Sequence, residues 1–392
     1  MSPKDIKAPS ATPPQHAPPP SRPPPPAPAL RWDLEPNQTV DLAVVGGGII
    51  GLSIAWRVRQ RGLSVAVVDA GALAAEASKA GAGMLAPGGE AHRLSPWARD
   101  TVEALRLFPA FTEELAALSG LPIDFRQCGA VDIASSDAAW ESLLARRAVQ
   151  EQLGIPVEEI PESTARRLAP LLREGAFRVL HYPDDAVVDP RSVTAALRLL
   201  LERAGCLLRE HTRVLAIEPD AGAYALRHTQ GRFRAHAAVL AAGAWSSQIA
   251  LPSPPASRPP RTAVPIRGHL ARCHRAPGTL SPIVRENHLY IFQRNTGEVI
   301  TGSNEERVGF DRTLNPQAVE EILHRTHDLL PGLFPAAATP DAWLGFRPGI
   351  EGDGPEVCRL GTERIWLAYG HFRNGILLAP HTASRLAGQI TT

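Results

Sequence analysis

Cysteine is scarce in this chain, and the four present, Cys128, Cys206, Cys273 and Cys358, stand far apart. None forms a C-x-x-C pair, and no histidine lies at zinc-finger spacing from a cysteine pair. A cysteine-held metal and a disulfide framework are therefore both excluded as the basis of the fold, and no metal site is expected. The thiols read as buried or free groups in a reducing compartment. Long apolar runs are also missing. No stretch reaches the roughly 18 residues that a membrane-spanning helix needs. The N-terminus lacks the apolar core of about 7–15 residues found in a secretory signal, so a cytoplasmic protein is expected. Charge of one sign is absent too. With 41 basic and 40 acidic residues the formal net charge is +1, which offers no broad field to nucleic acid or an anionic membrane. The expected partner is a small molecule. No internal repeat of 20–50 residues is present.

Proline, by contrast, is plentiful and unevenly placed. The first 37 residues hold 13 of the 38 prolines, including Pro23 to Pro26. Proline enters neither a packed sheet nor a helix interior, and few apolar side chains here could offset the cost of ordering. Residues 1–37 are expected to be a disordered, Pro-rich arm of polyproline II character. The remaining length exceeds what one core usually organises, which points to two domains.

Order is expected from Val40. Residues 40–45 read as a short buried strand, Gly46 to Gly48 as a turn, Ile49 to Arg61 as a helix closed by Gly62, and residues 64–68 as a second strand. Strand, glycine turn, helix and strand make a βαβ unit, whose parallel strands require a sheet covered on both faces. Further on, 193–204 and 375–387 read as helices. Residues 213–217, 224–228, 237–241 and 365–368 read as strands, and 288–293 with 298–301 as a hairpin. The Pro- and Ser-rich stretch from Leu251 to Pro265 marks a crossing between domains.

The turn Gly46-Gly47-Gly48-Ile49-Ile50-Gly51 fits G-x-G-x-x-G. Gly46 permits the tight turn, Gly48 lets a pyrophosphate approach the backbone, and Gly51 lets helix and strand pack closely. The pyrophosphate would sit on the helix N-terminus, where free N–H groups favour negative charge. Asp69 ends the second strand, where a carboxylate can accept hydrogen bonds from an adenosine ribose and disfavours a 2′-phosphate. Dinucleotide binding follows, with FAD and NAD both open at this point. The small-residue segment from Ser78 to Pro87 could lie against a flat ring or be a plain loop. The strand running into Gly243 suits a cofactor-facing end. Residues 370–377 lead into the last helix, whose N–H groups could stabilise negative charge on a reduced ring. Arg347 stands between turn residues in Leu344-Gly345-Phe346-Arg347-Pro348-Gly349. It could be a carboxylate fork or a surface ion-pair partner.

Together the Gly46 turn, Ala82 to Pro87, Gly345 to Gly349 and the long run Gly370 to Pro380 resemble the D-amino-acid oxidase family of FAD-dependent oxidoreductases, on its glycine oxidase branch. The resemblance covers residue 40 to the C-terminus. It implies an α/β (α+β overall) flavoprotein. A Rossmann-type FAD-binding domain would comprise 38–92, 186–250 and 340–392. A mixed-sheet substrate domain would comprise 93–185 and 251–339. It also implies roles for particular residues. Ile49, Ile50, Asp69 and Ala70 would hold the ADP half of FAD. Ala77, Ser78, Ala82, Gly83 and Met84 would approach the pyrophosphate and flavin, with Val214 at the adenine. His371, Phe372, Arg373, Asn374, Gly375, Ile376 and Leu377 would line the flavin. Arg347 would clamp a substrate carboxylate, with Arg373, Tyr290 and Met84 beside it. His371 is a candidate for proton handling or, as a bland alternative, a cofactor-lining structural group.

Three departures from the family pattern stand out. Ser303-Asn304-Glu305-Glu306 is more polar than expected near a glycine pocket, His269 replaces an amide, and Asp69 replaces a glutamate. The sarcosine oxidases of the same family carry a flavin-bearing cysteine just after the arginine. Here Pro348-Gly349 follows, so the FAD is expected to be noncovalent. The implied activity is oxidative deamination of glycine or a similar small amino acid. Oxygen would be the electron acceptor, the products an imino or 2-oxo acid, ammonia and hydrogen peroxide, and the pathway thiazole synthesis for thiamine. Alternatives are oxidation or dehydrogenation of another amine, such as sarcosine or a D-amino acid, or a flavin-stabilised scaffold. A homo-oligomer is compatible with the sequence.

Overall fold

The structure, a computed structural model, describes residues 39–253, 258–334 and 341–392. The expected Pro-rich arm lies outside the described residues. Strand β1 (Thr39–Val45) begins where the sequence predicts, and leads through the glycine turn into helix α1 (Ile49–Arg59) and strand β2 (Val65–Val68). Leu42, Val44, Val65 and Val67 are fully buried, each contributing about 1.5–3 kcal/mol relative to exposure. Those four side chains, one residue in two along each strand, join the core beneath α1. Val40, Ala43, Val45, Ala66 and Val68 face a second core on the other side. A sheet buried on both faces explains why residues 42–45 and 65–68 are continuous apolar runs rather than alternating ones.

The first sheet runs in the order Val214–Asp220, Ala223–His228, Gly231–Leu240, β1, β2, Leu207–Arg209. Gly231–Leu240 also pairs with Ile365–Tyr369, which pairs with Glu356–Arg359. Pairing is parallel through Gly231–Leu240, β1, β2 and Leu207–Arg209, and antiparallel in the meander at one edge. Helices Pro190–Arg203 and Gly375–Ile390 pack beside α1 on one face. The second sheet has the order Asp341–Ile350, Ala263–His274, Glu298–Gly302, Leu289–Gln293, Ile283–Glu286, Ala130–Ala134, Arg178–Tyr182, Glu158–Ile160. It mixes parallel and antiparallel pairs. Met84–Leu85, Ala186–Val188 and Phe125–Gln127 form a small third sheet, whose Met84 lines the cavity described below.

Two sequence expectations need correction. The Leu344 to Gly349 segment is not a turn. It lies within the strand Asp341–Ile350, which pairs along its whole length with Ala263–His274. That strand therefore belongs to the second sheet, although residues 340–392 were assigned to the first domain. Proline is tolerated because the strand forms the sheet edge, where a missing N–H costs no ladder bond. A Cβ at Gly345 would lie 2.5 Å from the Ala80 side chain, so glycine there marks close packing. The crossing drawn from Leu251 to Pro265 also ends earlier, because the second-sheet strand already begins at Ala263.

Candidate active site

A cavity of about 500 Å³ opens at the C-terminal ends of the parallel strands and extends under the second sheet. Strand ends of an open α/β sheet are where such ligands bind. Gly46, Gly48, Ile49, Ile50, Asp69, Ala70, Val214 and Gly243 line its first-sheet end. Gly46 has φ +104°, and a Cβ there would lie 2.3 Å from the Ala241 carbonyl oxygen. Gly48 brings no side chain to the N-cap of α1, so the backbone at the helix start borders the cavity directly. The Ile49 N–H donates to Ser78 Oγ at 2.8 Å. Gly51 does not line the cavity. A Cβ there would lie 2.0 Å from the Gly46 carbonyl oxygen, which is the close helix–strand contact the motif predicts. The Asp69 carboxylate accepts from Gly47 N–H at 2.7 Å and Gly71 N–H at 2.8 Å. Burial pushes its pKa up, against the lowering by those two bonds. It thus ties the two turns together at the cavity wall, where a ribose would lie.

Ala77, Ser78, Ala82, Gly83 and Met84 also line the cavity, as do His371, Phe372, Arg373, Asn374, Gly375 and Ile376. Arg294 donates to the Ala82 carbonyl at 2.8 Å and so pins this segment to the second-sheet hairpin. Leu377 does not line the cavity; its side chain is in the core beneath α1. His371 is buried, with Nε2 3.1 Å from Thr382 Oγ1, and burial pushes its pKa down to about 3.

Tyr290 and Arg347 complete the cavity lining, together with Met84. The Arg347 fork donates to the Asn304 carbonyl at 3.0 Å and to Ser303 Oγ at 2.7 Å. It carries no ion pair among the described residues, and burial draws its pKa down. Arg373 is different. Its Nε donates to Glu90 at 2.9 Å and its Nη1 to Glu305 at 3.1 Å. Burial alone would lower its pKa, but Glu90, Tyr290 and Glu305 outweigh that and hold it raised. Among the described residues, the pocket therefore presents one guanidinium ion-paired to acids and one that is not.

His269 is fully buried. Its Nε2 accepts from the Asn315 N–H at 3.1 Å, and its Nδ1 lies 3.0 Å from Asn304 Oδ1, which also accepts the His269 N–H. It therefore braces the loop that holds Arg347. Sequence reasoning missed Gly268 and Glu90. A Cβ at Gly268 would lie 2.2 Å from Arg347 Nη1, so the guanidinium rests on bare backbone. Neither residue stands in a motif, and their partners are far away in sequence.

The cradle of glycines, the cavity size and the helix start with a bare glycine at its N-cap all fit a dinucleotide such as FAD. Comparison with known proteins agrees. Residues 41–389 match the DAO family model, described as FAD dependent oxidoreductase. The chain is 30% identical to a glycine oxidase of Geobacillus kaustophilus, over 88% of this chain and 92% of that protein. It is 31% identical to a bifunctional protein ThiO/ThiG of Synechocystis, covering 90% of this chain but 52% of that protein. The crystal structure of glycine oxidase from Geobacillus kaustophilus superposes with a TM-score of 0.83 at 29% identity, over 90% of this chain and 95% of that one. With FAD as its cofactor, the chain belongs to the DAO family of FAD-dependent oxidoreductases and is an amino-acid oxidase of that family.

Proposed function

We propose that this enzyme deaminates glycine or a similarly small amino acid. Glycine, oxygen and water would give glyoxylate, ammonia and hydrogen peroxide, with the imino acid as the first product. The observation that carries this reading is Arg347, a half-buried fork lining the cavity with no acid paired to it among the described residues. Such a group favours a carboxylate ligand, bound bidentately.

Arg347 would fix the α-carboxylate, and the second-sheet loop at Ser303 and Asn304 would hold the fork in place. Tyr290, itself buried, would close the site beside the carboxylate and exclude water. Met84 would border the small side of the substrate. Bound FAD supplies the two-electron acceptor for the α-C–H bond. The chain would contribute mainly position and electrostatics. His371 is held neutral and bonded to Thr382, which favours a role as a brace of the flavin-side turn over proton transfer. FAD would be held without a covalent bond, since Arg347 is followed by Pro348 and Gly349. Use of the imino acid in thiazole synthesis is supported by the likeness to a ThiO/ThiG protein.

The test is anaerobic mixing of the holoenzyme with glycine, sarcosine, D-alanine and D-proline while following flavin absorbance. Glycine is expected to bleach the flavin fastest. A flavin that none of the four reduces would refute the reading.

A further inference from the structure

The polar run Ser303-Asn304-Glu305-Glu306 contributes its first two residues to holding Arg347, and Glu306 pairs with Arg267. Glu305 has a different target. It sits against Arg373 on one edge of the guanidinium while Glu90 takes the other. Two carboxylates thus face the one guanidinium of Arg373, one negative charge more than it can match. Arg347, close enough to feel Arg373 and both acids, has no ion pair of its own among the described residues. The site has the charge pattern of a complement to a single carboxylate.

We propose that Glu305, acting with Glu90 on Arg373, is a specificity-determining residue that admits amino acids with one carboxylate and excludes those with a second acidic group. This rests on the reading of Arg347 as the carboxylate clamp. Without the two acids, Arg373 would be the obvious clamp for a second carboxylate, because a free guanidinium fork binds one bidentately. With them, its Nε and Nη1 donors are taken, and an entering carboxylate meets like charge in a partly dry pocket. Rejection by repulsion is a general route to specificity. The two acids divide the task by position. Glu90 is 15% exposed, whereas Glu305 is 45% exposed at the rim. Glu305 can therefore be changed with little disturbance of the core.

The experiment titrates oxidised holoenzyme with acetate and with malonate, which is acetate carrying a second carboxylate, and reads the shift of the flavin absorption band. Wild-type protein is expected to bind malonate at least about tenfold more weakly than acetate. In Glu305→Gln that ratio should narrow by about tenfold, and Glu305→Asp, which keeps the charge, should preserve it. Glu90→Gln should move the ratio in the same direction as Glu305→Gln. An unchanged ratio in Glu305→Gln, or equal binding of the two ligands by wild type, overturns the proposal. Failure of acetate to perturb the wild-type flavin at all is a different result: it removes the Arg347 clamp itself, and the role of Glu305 falls with it.

Discussion

Replacing Gly268 with alanine places one methyl group beneath the Arg347 fork. The new Cβ would lie 2.2 Å from Nη1 and 2.6 Å from both Cζ and Nη2, where ordinary contact begins near 3.4 Å. The guanidinium must then retreat by about 1 Å. That movement is easy for the fold, because the atoms displaced are the end of a flexible side chain. It is costly for the site, because the fork loses its alignment with the Asn304 carbonyl and Ser303 Oγ. A misplacement of about 1 Å costs on the order of a hundredfold in rate, or ~2.7 kcal/mol. A carboxylate is bound in ground state and transition state alike, so most of the loss should fall on KM. Arg347→Ala sets the upper bound, at about 3–5 kcal/mol. The assay pairs kcat and KM for glycine with FAD content and melting temperature. Near-normal FAD content and melting with a large rise in KM is the expected result for Gly268→Ala. A correctly folded Gly268→Ala enzyme with wild-type KM would refute the reasoning. Wild-type KM in Arg347→Ala as well would move the clamp to another residue.

Gly48→Val should fold, since a Cβ at that position meets only Ser78 Oγ, at 3.2 Å, yet it should purify without flavin absorbance; full FAD occupancy would remove the pyrophosphate assignment. Acid precipitation of the holoenzyme should leave all flavin in the supernatant. None of the four cysteines, Cys358 included, lines the cavity; a yellow pellet would contradict noncovalent binding. His371 should make folding stability pH-dependent. Its folded pKa of about 3 lies below the unfolded value near 6.5, so the unfolded chain binds the extra proton between these limits and stability falls as pH drops through that window. The full effect is roughly 4–5 kcal/mol, and denaturant titrations of wild type and His371→Gln should diverge in slope over pH 6.5 to 3; parallel curves would argue that the imidazole is solvated.

The parts of the fold legible in the sequence are those written in consecutive residues. The βαβ unit needed only an apolar run, three glycines and a periodic helix. The hairpin turn at Gly297 carries the positive φ that its glycine implies. The strand Asp341–Ile350 was hidden because Gly345, Pro348 and Gly349 are turn residues by local preference. Its edge position and the approach of Ala80 decide otherwise, and both are tertiary facts. The helix Pro96–Ser119 carries prolines at its first position and at Pro109, which breaks the local pattern. At the site, Arg347 and Tyr290 came from a recognisable family pattern. Gly268 could not be found that way, because its meaning lies in facing Gly345 across a strand pair and in what rests on top of it. Glu90 is equally silent, with its partner Arg373 lying 283 positions later. The polarity of 303–306 was visible, but not that its carboxylate would be directed at a second arginine.

The strand order of the first sheet has a consequence for synthesis of the chain. β1 has two neighbours: β2, close behind it, and Gly231–Leu240, which starts nearly two hundred residues later. Ribosomes add about 5–20 residues per second, so an apolar central strand waits roughly ten to forty seconds for its second edge to be filled. Ile365–Tyr369 and the final helix, which cover what remains, arrive later still. Throughout that interval the nascent chain displays an unpaired, mostly hydrophobic strand edge, the kind of surface that seeks other strands. Newly made protein should therefore depend on chaperone holding far more than the finished enzyme does, and overexpression that outpaces holding should yield inclusion bodies rather than yellow soluble protein.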